Sequence, residues 1–237
     1  MARTTSLGQT RIGLVQFPGS NCDADCVDAI KRLFAIDVQL VWHEATELPS
    51  LDGLILPGGF SYGDYLRGGA LASCSRIMPA IKTFAAKGGP IIGICNGFQV
   101  LTESHLLPGI LMKNAHQKFI CEQVHLKVAA GHSGYHQRLE GQLYKVPIAH
   151  GEGRFYVSEP ELARLQDKGQ ILFQYASTQG EVSSETNPNG AVANIAGIVS
   201  ENGRILGMMP HPERATDPLL GSNDGKRILE AFLATVL

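Results

Sequence analysis

Cys95 stands where a short apolar run ends and a mixed segment begins, with a glycine two residues away on each side. The run Ile-Ile-Gly-Ile at 91–94 is typical of a strand buried on both faces, and 96–101 favours a helix. The spacing Gly93-x-Cys95-x-Gly97 predicts a sharp strand-to-helix turn that exposes a strained nucleophile. An ordinary buried cysteine is the alternative, but the surrounding pattern favours the nucleophile.

The helix predicted after Cys95 begins with free N–H groups and the positive end of its dipole. Both favour the thiolate over the thiol. The N–H of Asn96 is a candidate donor for an oxyanion. Gln99 lies one helical turn from Cys95 and faces the same way, so it is a candidate for binding a small polar substrate. A solvated helix residue is the alternative for Gln99.

His211 is the best candidate among eight histidines for the base that a cysteine nucleophile needs. It follows an apolar strand, and Pro210 and Pro212 restrict its backbone. Glu213 comes two residues later, a strand-like spacing that points both side chains to one side. A carboxylate there accepts the imidazole N–H and fixes the tautomer. A proline-rich turn capped by a carboxylate fits this spacing equally well.

Gly58 and Gly59 follow the third predicted strand, in Pro57-Gly58-Gly59-Phe60. Two glycines allow the backbone to approach a ligand closely and to aim N–H groups at it. A simple turn is the alternative. The polar, glycine-rich segment 61–69 holds Asp64 and Arg67 and is expected over the same edge of the sheet.

The order of predicted elements is that of an α/β fold, an open, mainly parallel sheet with helices on both faces. Strands are predicted at 11–17, 38–42, 51–56 and 91–94, and helices at 23–34 and 70–86. The second half adds antiparallel strands at 119–129, 142–149, 171–176, 191–199 and 204–209, and helices at 159–167 and 224–236. The polar segment 132–140 shows no strong periodicity. Functional groups gather at the carboxyl ends of parallel strands, where Gly58 and Cys95 lie.

Composition excludes several kinds of partner and site. The 237 residues carry a net charge of -2 without a lysine or arginine cluster, which argues against nucleic acid and anionic membranes. No apolar run approaches a membrane span, and the start lacks a signal peptide's apolar section, so a cytoplasmic location is expected. The five cysteines are expected to be reduced. Cys22 and Cys26 lack a second ligand pair, so no metal site is predicted.

Taken together, these motifs resemble those of the class I (triad) glutamine amidotransferases. The resemblance rests on Pro57-Gly58-Gly59, Gly93-Ile94-Cys95-Asn96-Gly97-Phe98-Gln99 and Pro210-His211-Pro212-Glu213. Further segments are similar to those of the family members that serve purine biosynthesis: 16–23, 59–67, 147–153 and 207–215. The resemblance spans residues 11–233 and implies a flavodoxin-like sheet in a single glutaminase domain, residues 1–237.

The resemblance also implies a reaction and roles for individual residues. Cys95 attacks the side-chain amide of glutamine, and the N–H groups of Gly59 and Asn96 hold the oxyanion. His211, oriented by Glu213, moves a proton to the leaving ammonia. The implied substrate-binding residues are Gly58, Gln99 and Phe119. Relatives tend to carry a serine within the segment corresponding to 113–119, so Ala115, His116 and Gln117 depart from the pattern there.

The implied partners are glutamine, a separate synthetase subunit and a small third subunit. On the synthetase, ATP and Mg are expected to support the conversion of formylglycinamide ribonucleotide to formylglycinamidine ribonucleotide. No cofactor is expected in this chain, which has no phosphate-binding loop for ATP. The isolated chain is expected to be a poor glutaminase, because closure of the loop around Gly59 is expected to await the partner.

Three alternatives stay open. The chain is a glutaminase subunit of a different amidotransferase, another cysteine hydrolase such as a peptidase or lactone hydrolase, or a regulatory module without catalysis. A hydrolase turn fits 93–97 equally well but leaves Gly58, Gly59 and the His211-x-Glu213 spacing unexplained. The presence of all three candidate catalytic residues argues against the regulatory module.

Overall fold

The structure is a computed structural model that describes residues 10–236. Its helices are α1 (Asp23–Phe34), α2 (Met78–Ala86), α3 (Asn96–Glu103), α4 (Gly134–Leu139), α5 (Glu159–Asp167) and α6 (Gly225–Val236). Its strands are β1 (Ile12–Gln16), β2 (Val38–Trp42), β3 (Gly53–Leu56), β4 (Ile91–Ile94), β5 (Ile110–Met112), β6 (Ile120–Val128), β7 (Leu143–His150), β8 (Arg154–Tyr156), β9 (Ile171–Ala176), β10 (Ile195–Val199) and β11 (Ile205–Met208).

The main sheet has the strand order β2-β1-β3-β4-β11-β10-β9-β6-β7. Its first five strands pair in parallel, and the remaining four add antiparallel pairs. The predicted α/β sheet with antiparallel additions in the second half is therefore confirmed. β5 and β8 form a separate antiparallel pair that was not predicted from the sequence.

The central parallel strands are apolar because helices or loops cover both of their faces. Every residue of β3, β4 and β11 is buried, whereas β7 alternates between buried and partly exposed residues. Leu56 pairs with Gly93 and Ile94 pairs with Met208, so the three parallel strands end close to one another. The segments that follow these ends carry Gly58, Cys95 and His211 to one edge of the sheet.

The predicted helix at 70–86 was wrong in its first half. A 3₁₀ turn occupies Ala72–Cys74, and the backbone is extended at Ser75, with ψ of 152°. The helix α2 starts only at Met78, with Pro79 in its first turn, where its missing N–H costs nothing. The hydroxyl of Ser75 lies 3.1 Å from that of Tyr62, so a tertiary contact accompanies the break.

In the second half, one further prediction was wrong and one helix was not predicted. The strand predicted at 191–199 begins only at Ile195, because Ala193 and Asn194 adopt positive φ values of 50° and 57°. The polar segment 132–140 contains the helix α4, which Ser133 caps by accepting a hydrogen bond from the N–H of His136. α4 has only six residues, too few to show helical periodicity.

Candidate active site

Cys95 occupies the turn between β4 and α3 in a backbone conformation that non-glycine residues rarely adopt, with φ of 50° and ψ of -105°. Such strain costs on the order of 1–3 kcal/mol and occurs mainly at functional sites. The Cys95 N–H donates to the carbonyl of Met208 over 2.7 Å, which ties the turn to β11. A Cβ at Gly97 would lie 2.0 Å from the carbonyl oxygen of Leu56, so close packing requires this glycine.

His211 and Glu213 are in direct contact. Nδ1 of His211 lies 2.6 Å from Oε1 of Glu213, and both side chains are buried. The contact spans a 3₁₀ turn, Pro212–Arg214, and not the extended segment that the sequence spacing suggested. The His211 N–H donates to the carbonyl of Pro147 on β7, which fixes the start of the turn.

The electrostatics of His211 favour its protonated form. Burial by itself lowers the pKa of the imidazole, but the Glu213 carboxylate, followed by the sulfurs of Cys95 and Cys22, outweighs it. The pKa of His211 is therefore raised well above its ordinary value. Nε2 is buried and has no hydrogen-bond partner within residues 10–236, so it is the ring atom left to exchange a proton.

Gly58 lies where the candidate nucleophile and base meet. A Cβ on Gly58 would sit 2.8 Å from Cε1 of His211, 3.1 Å from Sγ of Cys22 and 3.4 Å from Cβ of Cys95. Any side chain at position 58 would enter the space between these three groups. The structure therefore explains why position 58 is a glycine, whereas the sequence showed only that Gly58 follows a predicted strand.

Gly59 and Asn96 both offer backbone N–H groups that donate to no protein acceptor in the described part of the chain. Gly59 has φ of 131°, and a Cβ there would lie 2.5 Å from the backbone nitrogen of Asn21. The Asn96 side chain accepts from the N–H of Ser61 at 3.3 Å and donates to Asp64 at 3.3 Å. Asn96 therefore joins the first turn of α3 to the glycine-rich loop, residues 59–69.

Gln99 is buried, and its amide is bonded at both ends to protein groups. Its Nε2 donates to the carbonyl of Glu152 at 2.7 Å, and its Oε1 accepts from Asn96 at 2.7 Å. The Glu152 carboxylate in turn accepts from the N–H of Gly68 at 2.9 Å. Gln99 and Glu152 thus fasten the glycine-rich loop to α3, and a direct contact between Gln99 and substrate stays a prediction.

Phe119 lies on the exposed rim of the same region, with 54% of its surface accessible. Its ring centroid is 6.3 Å from that of Phe60, which directly follows Gly59. Tyr65 and Leu66, in the glycine-rich loop, are more exposed still. We call these four exposed residues, Phe60, Tyr65, Leu66 and Phe119, the apolar rim.

Asn114 organises the segment 113–119, and sequence reasoning assigned it no role. Its amide nitrogen donates to the carbonyls of Lys118 and His150, and its oxygen accepts from the N–H of Gly153.

Burial, with a contribution from His211, lowers the pKa of His150 to about 4, so this buried ring is neutral at neutral pH. Contacts of Ala115, His116 and Gln117 with a substrate stay predictions.

Cys22 is the second residue that sequence reasoning missed. Its sulfur, a ring nitrogen of His211 and a carboxylate oxygen of Glu213 all lie within 4.8 Å of one another. Burial raises the pKa of the Cys22 thiol, although His211 offsets part of that effect. The available signal was topological, because Cys22 follows the parallel strand β1 and such strand ends share one edge of the sheet.

The chain is similar to proteins of one family over almost its whole length. Residues 9–228 match a family described as CobB/CobQ-like glutamine amidotransferase domain. The chain is 50% identical over 219 residues to phosphoribosylformylglycinamidine synthase subunit PurQ of Aquifex aeolicus, covering 92% of this chain and 96% of that protein. The corresponding PurQ of Gloeobacter violaceus is 47% identical over 228 residues, covering 96% and 98%.

A solved structure has the same fold. A chain in the structure of PurLQS from Thermotoga maritima superposes with a TM-score of 0.83 at 36% identity, covering 96% of this chain and 99% of that one. No helix within residues 10–236 has the length and apolar character needed to cross a membrane.

Proposed function

The chain belongs to the CobB/CobQ-like glutamine amidotransferase family, and we propose that it is the glutaminase subunit of a phosphoribosylformylglycinamidine synthase. It hydrolyses glutamine to glutamate and ammonia and delivers the ammonia to a separate synthetase subunit. There, ATP drives conversion of formylglycinamide ribonucleotide to formylglycinamidine ribonucleotide in purine biosynthesis. The observation that carries the proposal is the buried His211–Glu213 contact, with Nε2 of His211 left free beside Cys95.

In the first half of the reaction, the Cys95 thiolate attacks the carbonyl carbon of the glutamine side chain. The N–H groups of Gly59 and Asn96 stabilise the oxyanion that forms. Nε2 of His211 gives its proton to the amide nitrogen, the C–N bond breaks, and ammonia leaves. A thioester between Cys95 and the glutamyl group remains.

In the second half, water attacks the thioester carbon while Nε2 of His211 accepts a proton from it. The C–S bond breaks, glutamate leaves, and Cys95 returns as a thiolate beside a protonated His211. Glu213 holds the imidazole in one orientation throughout and stabilises its positive charge. Gly58 keeps the space between sulfur and imidazole open, and Gln99 and Asn96 hold the glycine-rich loop in place.

The apolar rim is the part of this surface that we assign to the synthetase subunit. Exposed aromatic and aliphatic groups next to a reaction site favour association with another protein over contact with water. A partner seated there would cover the mouth of the site and receive the ammonia directly. The solved relative from T. maritima is a PurLQS assembly by name, and we extend the synthetase and a small third subunit to this chain.

The proposal places ATP and Mg on the synthetase and gives this chain no cofactor. We propose a single glutaminase domain. We also propose a cytoplasmic location, because catalysis needs Cys95 as a free thiol and thiols stay reduced in the cytoplasm. The isolated chain is expected to hydrolyse glutamine slowly, because the glycine-rich loop around Gly59 closes when the partner binds.

The test adds this chain to a synthetase that uses free ammonia. We expect the mixture to form the amidine product from glutamine, and we expect glutamine turnover to rise when the synthetase is present. Cys95→Ala is the control, since it should abolish use of glutamine while ammonia still supports the synthetase. Wild-type glutamine use by that variant would refute the nucleophile, and hydrolysis of peptides or lactones in preference to glutamine would support the other cysteine hydrolases.

A further inference from the structure

The reaction proposed above leaves one neighbour of the catalytic groups without a role, the thiol of Cys22. Its sulfur, a ring nitrogen of His211 and an oxygen of Glu213 lie within 4.8 Å of one another, and all three residues are buried. Sulfur and imidazole nitrogen are the donors that zinc prefers in proteins. The sequence suggested no metal site because it offered Cys26 as the partner of Cys22, whereas the fold brings Cys22 to His211.

The imidazole is prepared as a ligand in a specific way. Its Nδ1 is held by Glu213 at 2.6 Å, while Nε2 is buried without a hydrogen-bond partner among the described residues. Metal-binding histidines commonly donate one ring N–H to a carboxylate and bind the ion through the other nitrogen. Glu213 therefore supports His211 as a zinc ligand by the same contact that orients it as a base.

Cys95 is the remaining donor beside this group, but its sulfur contacts the carbonyl of Ala149 at 3.8 Å and has to turn to reach the ion. The ideal Cβ position on Gly58 lies 2.8 Å from the His211 ring, 3.1 Å from the Cys22 sulfur and 3.4 Å from Cβ of Cys95. Both cysteines and the imidazole thus border one space that no side chain fills. Tetrahedral zinc places sulfur and nitrogen ligands about 3.6 Å apart. The separation of the Cys22 sulfur and the His211 nitrogen is at most 4.8 Å, so it has to contract by no more than about 1.2 Å.

We propose that Zn²⁺ binds to Cys22, Cys95 and Nε2 of His211 and thereby inhibits the enzyme reversibly. Two thiolates neutralise the charge of the ion, and water takes the fourth position, because Glu213 is bonded to Nδ1 on the other side of the ring. The guanidinium of Arg214 lies 3.2 Å from the Cys22 sulfur, but it is also paired with Asp25 at 2.9 Å, which offsets its repulsion of a cation. Bound zinc occupies the nucleophile and the base together, so no thioester forms until the ion is removed.

The first experiment titrates the full chain with Zn²⁺ and, for a spectroscopic signal, with Co²⁺. We expect one tightly bound ion, a thiolate-to-cobalt charge-transfer band, and recovery of the free enzyme with a chelator. Cys22→Ser should weaken Zn²⁺ binding by about tenfold or more, since a ligand matters at least as much as the outer-shell partners that cost 10–100-fold. Cys74→Ser, which changes an exposed thiol, is the matched control and should bind as the wild type does.

A correctly folded Cys22→Ser variant with wild-type affinity for zinc would overturn the proposal. The proposal would also be overturned if the thiolate-to-cobalt band came from the exposed cysteines, Cys74 and Cys121. If Cys22→Ser does not fold, the wild-type chain decides. After Cys95 is alkylated by a glutamine-like electrophile, a cobalt band of about half intensity supports Cys22 as a ligand. Complete loss of the band, or no change in it, refutes the site. These measurements contain no glutamine hydrolysis, so their outcome is independent of the proposed reaction.

Discussion

His211 and Glu213 meet across a single 3₁₀ turn, with 2.6 Å between Nδ1 and Oε1. The turn begins four residues after the last residue of β11, and Cys95 directly follows the neighbouring parallel strand β4. A rigid pairing of two strands therefore sets the position of base relative to nucleophile, and a local turn sets the position of the carboxylate relative to the base. Rigid elements of this kind hold a site to within the tolerance that catalysis needs.

Glu213→Gln should lower kcat for glutamine by about 10²–10⁴-fold, because the amide no longer stabilises the imidazolium or fixes its tautomer. The variant keeps the size of the side chain, so we expect the fold to survive. Amidine formation by the complex is to be measured with glutamine and with ammonia, and only the glutamine-dependent rate should fall. A loss of less than about threefold would show that Glu213 does not orient the base.

The same variant should change the pH dependence of glutamine hydrolysis. Glu213 raises the pKa of His211, and the leaving ammonia needs the protonated ring. Removing the carboxylate lowers that pKa, so the ring loses its proton at a lower pH and the alkaline limb of kcat/KM moves to lower pH. Profiles of wild type and variant check this, and an unmoved alkaline limb would contradict the assignment of His211 as the proton donor.

Gly58→Ala should reduce glutaminase activity by about 100-fold or more, because the new methyl group displaces the imidazole or the thiol and small misplacements carry costs of that size. Gly134→Ala is the matched control, since a Cβ there meets nothing within 4 Å. Steady-state kinetics and circular dichroism separate lost activity from lost fold. Equal activity in the two variants would mean that the space above Gly58 is not part of the site.

Residues that follow β3, β4 and β11 were predictable, because glycines or prolines mark those turns in the sequence. Residues brought in by side-chain contacts with distant segments were not. The strand β4, the turn at Cys95 and the helix α1 lie where periodicity and flanking glycines indicated. Asn114 and Cys22 lie far along the chain from Cys95, and their contacts depend on the order of strands in the sheet. Ser75 interrupts a helix that the neighbouring residues favour, and its hydroxyl contacts the hydroxyl of Tyr62. A contact between residues this far apart in sequence leaves no local pattern.

Asp64→Asn should stabilise the protein at neutral pH. Burial, with a contribution from Glu152, raises the pKa of Asp64 from 3.8 to about 6. The folded chain therefore holds this proton more tightly than the unfolded chain, and stability falls as pH rises from about 4 through about 6. Asparagine accepts the positive φ of 54° and keeps an oxygen for Asn96.

The gain from Asp64→Asn at about pH 7.5 should be on the order of 1 kcal/mol, since solvent around this half-buried carboxyl reduces the full effect of about 1.4 kcal/mol per pKa unit. Below about pH 4 the gain should vanish, because the wild-type carboxyl is then protonated in both states. Urea denaturation at the two pH values measures this. A variant that is less stable at neutral pH would show that the Asp64 charge is favourable in the loop.

Leu66→Glu should weaken binding of the synthetase subunit without disturbing the fold. Leu66 is 87% exposed and has a positive φ of 71°, so a charge there meets water in the free chain and an apolar partner in the complex. We expect the Kd for the synthetase to rise by about tenfold or more, as for a central apolar contact. The matched control is Leu219→Glu, at a residue 94% exposed in the 3₁₀ turn Pro218–Leu220, which is not one of the four residues of the apolar rim. Titration of each variant with synthetase, followed through glutamine-dependent product formation, compares them. No weakening by either variant would place the partner on a different face, and equal weakening by both would show that the apolar rim is not the specific contact.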